Sequence, residues 1–244
     1  EVSPLFENLP EAIPSKTVKT MEEFDQGWGS ILYRTSLPQM DAPSRLHIAG
    51  GHDYVQVFVD GKLAGVLDRC KGETDLMLPA CRKGAVLDIL VEAMGRINFG
   101  RAIKDYKGIT RSVSIDTEID GNDVTINLKD WHIALLPDDY AHLASLTCSD
   151  NGNSGPGIYK GVLKVNKPGD TFINLERWGK GQLWVNGHAL GRFWSIGPQQ
   201  TLYCPGCWLR KGDNEIMVMD VEGPVQPGAW GQTTPELDKL QLKD

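Results

Sequence analysis

The feature that most constrains this chain is a copy of itself. Tyr33-Arg34 and Tyr159-Lys160 lie 126 positions apart (159 − 33). Gln56 and Gln182 keep that offset, as do Asp60-Gly61 and Asn186-Gly187, and Gly65 and Gly191. So do Leu76, Pro79 and Cys81 against Leu202, Pro205 and Cys207. Both copies then pass through Arg-Lys-Gly (Arg82 to Gly84, Arg210 to Gly212) into a last apolar run. A register held from Tyr33 to Cys81 without a gap means one supersecondary unit made twice.

The unit reads as β. Short runs with period-2 character, such as "YVQVFV", "SVSIDTEI", "DVTINL" and "EIMVMDV", are punctuated by Gly, Pro, Asp-Gly or Asn-Gly, the pattern of antiparallel sandwiches. Asp60-Gly61 and Asn186-Gly187 supply the positive φ angles of a two-residue hairpin turn. Beside them Val57, Val59, Leu183 and Val185 alternate toward one face, with Phe58 and Trp184 on the other. A further hairpin is expected to turn at Asp120-Gly121. Only "TMEEFDQ" (Thr20 to Gln26) predicts a helix, opened by the capping box Thr20-x-x-Glu23. One helical segment cannot make a (β/α)8 barrel. The expected organisation is a linker over 1–13, a first β-sandwich over 14–136, a connection over 137–150, a second sandwich over 151–224 and a tail over 225–244.

Charge and cysteine usage narrow the partners. A net charge of -7 and a pI near 5.3 lack the basic face that phosphate neutralisation requires, so no nucleic-acid partner is expected. No apolar run is long enough to span a bilayer as a helix, and no membrane partner is expected. Glu1 opens without an initiator Met and without a basic and apolar leader, which reads as a processed or excised piece. The five cysteines are too few and too odd for a disulfide framework. Cys204-Pro-Gly-Cys207 has no second pair to complete a zinc site and reads as structural thiols. Neither a metal nor a cofactor is expected.

A sugar hydrolase of the retaining type sets two carboxylates about 5–5.5 Å apart across the scissile bond. Asn214-Glu215 is the one provocative dipeptide, yet it sits in "KGDNEIMV", at the turn into the last repeat strand, and reads as structural. No G-x-S-x-G elbow and no phosphate-cradling loop occurs, and the five histidines are scattered. No catalytic residue is expected. Binding is another matter, because aromatic faces stack on pyranose rings while Arg or acids hold hydroxyls. The candidates are Trp178, Arg192, Trp194 and Trp230. Trp178 and Trp230, flanked by Gly and Pro, are expected in exposed loops; Trp194 and Trp208, inside strand-like text, are expected in the core.

At the level of motif, "GRFWSIGPQQTLYCPGCWLRKGDNEIMVMDVEG" (Gly191 to Gly223) closely resembles the C-terminal region of β-galactosidases of glycoside hydrolase family 35. "TMEEFDQGWGSILYRTSLP" and "AMGRINFGRAIKDYKGIT" resemble the opening and close of the β domain that precedes it there. The resemblance implies two galactose-binding-like (jelly-roll) β-sandwich domains. It also implies a catalytic (β/α)8 barrel as partner in the same enzyme, with both catalytic glutamates in that barrel and none here. The chain would then pack against the barrel and shape its rim. The alternative is an autonomous module that binds galactose-containing carbohydrate. A secreted or periplasmic setting follows from the resemblance alone.

Overall fold

The computed structural model describes every residue except 102, 120, 137–138, 151–154 and 242–244. The chain divides into two compact units: Leu9–Pro137, and Glu1–Asn8 together with Asp138–Asp244. The first strand, β1 (Val2–Pro4), belongs to the second unit. The first unit then runs through β2 (Ile13–Ser15), β3 (Ser30–Ser36), β4 (Ser44–His52), β5 (Tyr54–Val59), β6 (Lys62–Asp68), β7 (Asp75–Leu78), β8 (Val86–Glu92), β9 (Gly108–Ile119), β10 (Asn122–Asn127) and β11 (Trp131–Leu136). The second continues with an α-helix, α1 (Tyr140–Ser145), and strands β12 (Gly157–Val165), β13 (Thr171–Asn174), β14 (Lys180–Val185), β15 (His188–Trp194), β16 (Thr201–Cys204), β17 (Gly212–Asp220) and β18 (Trp230–Gln232).

Each unit is a sandwich of two antiparallel sheets. In the first, a sheet of order β2-β11-β3-β8-β5-β6 faces one of order β10-β9-β4-β7. Ile31, Tyr33, Val57 and Ile89 from the larger sheet pack with Leu46, Ile48, Val113 and Ile115 from the smaller. The second has β1-β12-β17-β14-β15 facing β16-β13-β18, with Tyr159, Leu183, Val185 and Val218 against Ile173 and Leu202. The all-β, two-sandwich reading of the sequence is what the chain forms. Among the described residues no helix is long and apolar enough to cross a membrane.

The repeat is structural down to its register. Tyr33 sits opposite Ile89 and Tyr159 opposite Val218; Val57 faces Ile89 and Leu183 faces Val218. The two hairpins carry a bulge at the same place, Val57/Phe58 and Leu183/Trp184. Their turns have φ of 46° and 76° at Asp60-Gly61, and 48° and 83° at Asn186-Gly187, the left-handed pair of a type I′ turn. Val57, Val59, Leu183 and Val185 point into their cores as the alternation requires.

Local details differ from expectation in informative ways. "TMEEFDQ" makes only a 3-10 turn over Met21–Phe24. The capping box is present, with the Thr20 N–H donating to Glu23 Oε2 at 2.9 Å, but Asp25 turns left-handed at φ 56° and ends the coil. A nucleus this short gains too few i→i−4 bonds to propagate. The true α-helix, α1, lies in the stretch read as a connection, capped by Asp139 accepting from the Ala141 N–H. Residues 2–4, read as linker, pair with β12, and residues 230–232, read as tail, pair with β13. At the β9–β10 hairpin, Ile119 pairs with Asn122 and Gly121 has φ 76°, while Asp120 lies outside the described residues.

Candidate functional site

The four residues singled out for binding all lie in the second sandwich, and one buried carboxylate organises the loops around them. Asp220 ends β17 with no exposed surface. Its Oδ2 accepts from the Gly179 N–H at 2.7 Å, and its Oδ1 from Lys180, Glu222 and Gly223 at 3.1, 2.9 and 2.9 Å. Burial pushes this carboxyl above its ordinary value, and the four backbone donors only partly oppose it. β14 can run this close to β17 because Gly181 has no side chain; a Cβ there would stand 1.7 Å from the Met219 carbonyl oxygen.

Tied down in this way, Trp178 goes inward. It is 4% exposed, its Nε1 donates to the Gly228 carbonyl at 2.8 Å, and its ring meets Tyr159 and Phe193 edge-on at 5.1 and 6.5 Å. The expectation of an exposed loop tryptophan is corrected here: the flanking glycines serve close backbone packing. Trp194 and Trp208 are half-buried where the core was expected, Trp208 lying flat on His188 at 4.5 Å. The Lys180 ammonium stands 4.1 Å from the centre of the Trp194 ring, across the β14–β15 pair. Trp230, half-buried on β18, carries the Arg177 guanidinium over its ring at 5.3 Å. Arg192 is exposed on β15 opposite Gln182.

The structure thus links three of the four candidates through one short stretch, with Arg177 on Trp230, Trp178 in the core and Lys180 on Trp194. A cation over an indole face uses the same quadrupole that a sugar C–H face would use, so the cations of Arg177 and Lys180 hold the faces on which a sugar would stack. Behind Trp178 opens a cleft of about 440 Å³ lined by Val2, Tyr159, Leu163, Trp178, Ile216 and Val218. Its floor is apolar, with the Tyr159 OH donating to Gly155 O at 2.5 Å, while Glu1, Ser149, Asp150 and Lys160 also line it. Nothing in the sequence signalled it, because Val2 reaches it from the far end of the chain.

Glu215, Asp53 and Asp105 are each engaged in structural contacts. Glu215 accepts from the Tyr140 hydroxyl, and its N–H donates to Asn186 Oδ1 at 2.9 Å. Asn214 Oδ1 takes the Asn186 amide at 2.8 Å, so the Asn-Glu dipeptide braces the Asn186-Gly187 turn. In the first sandwich, the fully buried Lys107 Nζ donates to Asp53 Oδ2 at 2.6 Å and to Asp105 Oδ2 at 2.8 Å. Arg69 Nη1 reaches the other oxygen of each at 2.6 and 2.8 Å. Burial works against ionisation of both acids, but these hydrogen bonds outweigh it and hold them below the usual carboxylate range, Asp105 at about 2. A general acid needs the opposite shift. Sequence reading missed this cluster, whose members come from three separate stretches. The five cysteines are free thiols, with the buried Cys204 pushed up to about 11 by burial.

Known proteins supply the comparison this geometry calls for. A family model described as "Beta-galactosidase, first all-beta domain" matches residues 19–133, and "Beta-galactosidase, galactose-binding domain" matches residues 156–214. The chain belongs to the β-galactosidase family. It is 38% identical over 223 residues to the human beta-galactosidase-1-like protein 3, covering 87% of this chain and 32% of that protein. It is 36% identical over 228 residues to human beta-galactosidase (83% of this chain, 32% of that protein) and 33% identical over 255 residues to the dog enzyme (96% and 37%). The chain therefore spans about a third of the length of these β-galactosidase relatives. Within the galactose-binding domain, β1 and β18 fall outside the matched residues yet complete both sheets.

Proposed function

We propose that this chain is the non-catalytic β region of a β-galactosidase, packing against a separate catalytic (β/α)8 barrel and shaping the rim of its pocket. The observation that carries the reading is the pair of consecutive family matches, an all-β domain and a galactose-binding domain, on a chain a third as long as its relatives. The committed state of Asp53, Asp105 and Glu215 supports it, since none is placed to give up a proton to a leaving group. Assayed alone on a chromogenic β-galactoside, the chain is expected to show no turnover. Turnover that disappears on Glu215→Gln overturns the reading.

The description of the second match as a galactose-binding domain favours a second reading, in which that sandwich holds galactose-containing carbohydrate by itself. Trp194, Trp230 and Arg192 are its candidate contacts, with Trp178 as their packed support. Calorimetric titration with galactose and short galactans tests it. Heat lost on Trp230→Ala or Trp194→Ala supports the reading, and no heat at millimolar sugar removes it.

A further inference from the structure

The outer face of the smaller sheet in the second sandwich carries side chains that neither reading above uses together. Ile173 on β13 and Leu202 on β16 sit opposite each other and point into the core. Cross-strand partners share a face, and faces alternate along each strand. The rows Tyr203–Phe172–Gln232 and Thr201–Asn174–Trp230 therefore point outward. Tyr203 is 48% exposed and Phe172 is half-buried beside it, their ring centres 5.6 Å apart and their planes tilted by 52°. The Thr201 end is covered. The Glu236 N–H donates to Thr201 Oγ1 at 3.0 Å and the Gln200 N–H to the Glu236 carbonyl at 2.9 Å, so the residues after β18 lie against it and leave the Tyr203–Phe172 end open.

The first sandwich has the same rows with different chemistry. Tyr203 keeps the 126-residue offset from Met77 (203 − 77), and there the rows are Met77–Arg45–Asp116 and Asp75–His47–Ser114. Arg45 pairs with Asp75 and Asp116, and His47 with Asp75, so those polar groups satisfy one another. In the second sandwich Phe172 stands in the place of Arg45 and Gln232 in that of Asp116. Rings and amides replace charged pairs. Such a mixture suits a sugar, whose C–H face stacks on a ring while its hydroxyls need fixed polar partners. Asp170 stands at one flank, accepting from the Gly206 N–H at 2.8 Å and from the Tyr203 hydroxyl. Gln232 stands at the other, its Oε1 accepting from Asn174 Nδ2 at 3.0 Å and its Nε2 donating to the Thr234 carbonyl at 2.7 Å. Groups held in place beforehand bind without the entropy cost of ordering on contact.

We infer that Phe172 and Tyr203, flanked by Asp170 and Gln232, form a stacking site for a neutral galactose-containing saccharide on the outer face of the β16-β13-β18 sheet. The inference rests on the second reading above and moves its site from Trp194 and Arg192 to this face, with Trp230 at the corner. Charge selects the occupant. Neither row carries a cationic side chain, and the Arg177 guanidinium lies over Trp230, at the corner opposite Tyr203. Asp170 puts a carboxylate beside the rings, so the face complements an uncharged sugar and repels a uronate or a sulfate ester.

The test titrates the 244-residue chain with a linear galactotetraose by calorimetry. Tyr203→Ala is expected to weaken binding about tenfold with the melting temperature unchanged, and Tyr203→Trp, which keeps a ring, to retain it. Arg192→Ala and Trp194→Ala should leave the affinity within roughly twofold. A galacturonate oligomer of the same length should bind about tenfold more weakly, and Asp170→Asn should narrow that gap. Binding that survives Tyr203→Ala and falls on Trp194→Ala or Arg192→Ala overturns this face and leaves the second reading standing. Equal binding of the galacturonate oligomer overturns the assignment to a neutral sugar. A mass by light scattering that rises with concentration, and no longer does so in Tyr203→Ala, gives the face to a second copy of the chain and overturns the sugar site. No heat with galactotetraose at millimolar concentration overturns both this site and the second reading.

Discussion

The two sandwiches share a hairpin and differ in how each closes its sheet. In the first, Tyr33 on β3 is flanked by Ile89 on β8 and by Ile133 on β11. In the second, Tyr159 on β12 is flanked by Val218 on β17 and by Val2 on β1. The position that the first sandwich fills with its own last strand is filled in the second by the chain's first residues. In the smaller sheets β18 takes the place of β9, three residues standing in for twelve. The paired cations diverge as well. Arg34 grips Asp88 through two bonds of 2.7 and 2.9 Å, whereas Lys160 donates to the carbonyls of Ala144 and Leu146 at the end of α1. A repeated sequence therefore fixes the hairpin and its partner strand, while closure is solved separately each time.

The widest gap between the two is expected on removing residues 1–8. Val2 and Leu5 are buried, and losing two such side chains costs roughly 3–6 kcal/mol, besides exposing the β12 ladder. Hydrogen exchange should show β12 and β17 losing protection while β3 and β8 keep theirs. Equal protection in the truncated chain would mean that β1 is an ornament. The converse experiment strikes the first sandwich. Lys107→Met leaves Asp53 and Asp105 facing each other with Arg69 as the cation that still bridges them, and breaking a buried pair this way costs about 3–5 kcal/mol. Urea denaturation followed through β3 and β8 should register that loss, with β12 and β17 unaffected.

Acid should separate the sandwiches by about 2 kcal/mol, with opposite signs. Asp105 is held at about 2, below the value of about 3.9 it regains on unfolding. Its contribution is complete above pH about 4 and is lost as pH falls from about 4 to about 2. Asp53 is depressed too and acts in the same direction. Asp220 is raised by burial, so its contribution is complete below pH about 4 and declines as pH rises through that value toward the folded one. Exchange rates measured at stepped pH should show the first sandwich opening before the second on acidification. The reverse order would mean that charges other than these three carboxylates dominate.

What the sequence made legible follows from how far each interaction reaches. The hairpins were readable because Asp-Gly and Asn-Gly act within four residues and the alternation of Val57 and Val59 acts within three. The all-β class followed from the same punctuation. β1 and β18 were not readable, since a three-residue strand has no period and Val2 meets Tyr159 only after the chain has folded. Trp178 was placed outside because Gly179 and Gly181 look like loop residues, when their bareness is what lets β14 lie against Asp220. The Asp53, Asp105 and Lys107 cluster escaped for the same reason of distance, Asp53 lying 54 positions from its ammonium. Of the binding candidates, Trp194, Trp230 and Arg192 keep exposed surface, but the cations that occupy two of their rings left no local pattern in the text.

The smallest expected effect tests how alike the repeated turns are. Both Gly61 and Gly187 hold positive φ, where an alanine costs about 1–2 kcal/mol, so each Gly→Ala should destabilise its own sandwich. Their surroundings differ. A Cβ at Gly61 meets nothing within 4 Å, while one at Gly187 stands 3.3 Å from Cε1 of Tyr140. That ring cannot retreat freely, because its hydroxyl is bonded to Glu215, the residue whose N–H also braces the turn through Asn186. Gly61→Ala should therefore cost about 1 kcal/mol and Gly187→Ala about 2. Adding Tyr140→Phe would free the ring and bring the second value toward the first. If the two glycines cost the same with Tyr140 in place, the bracing of the second hairpin by α1 has no energetic weight, and the copies are equivalent at their turns after all.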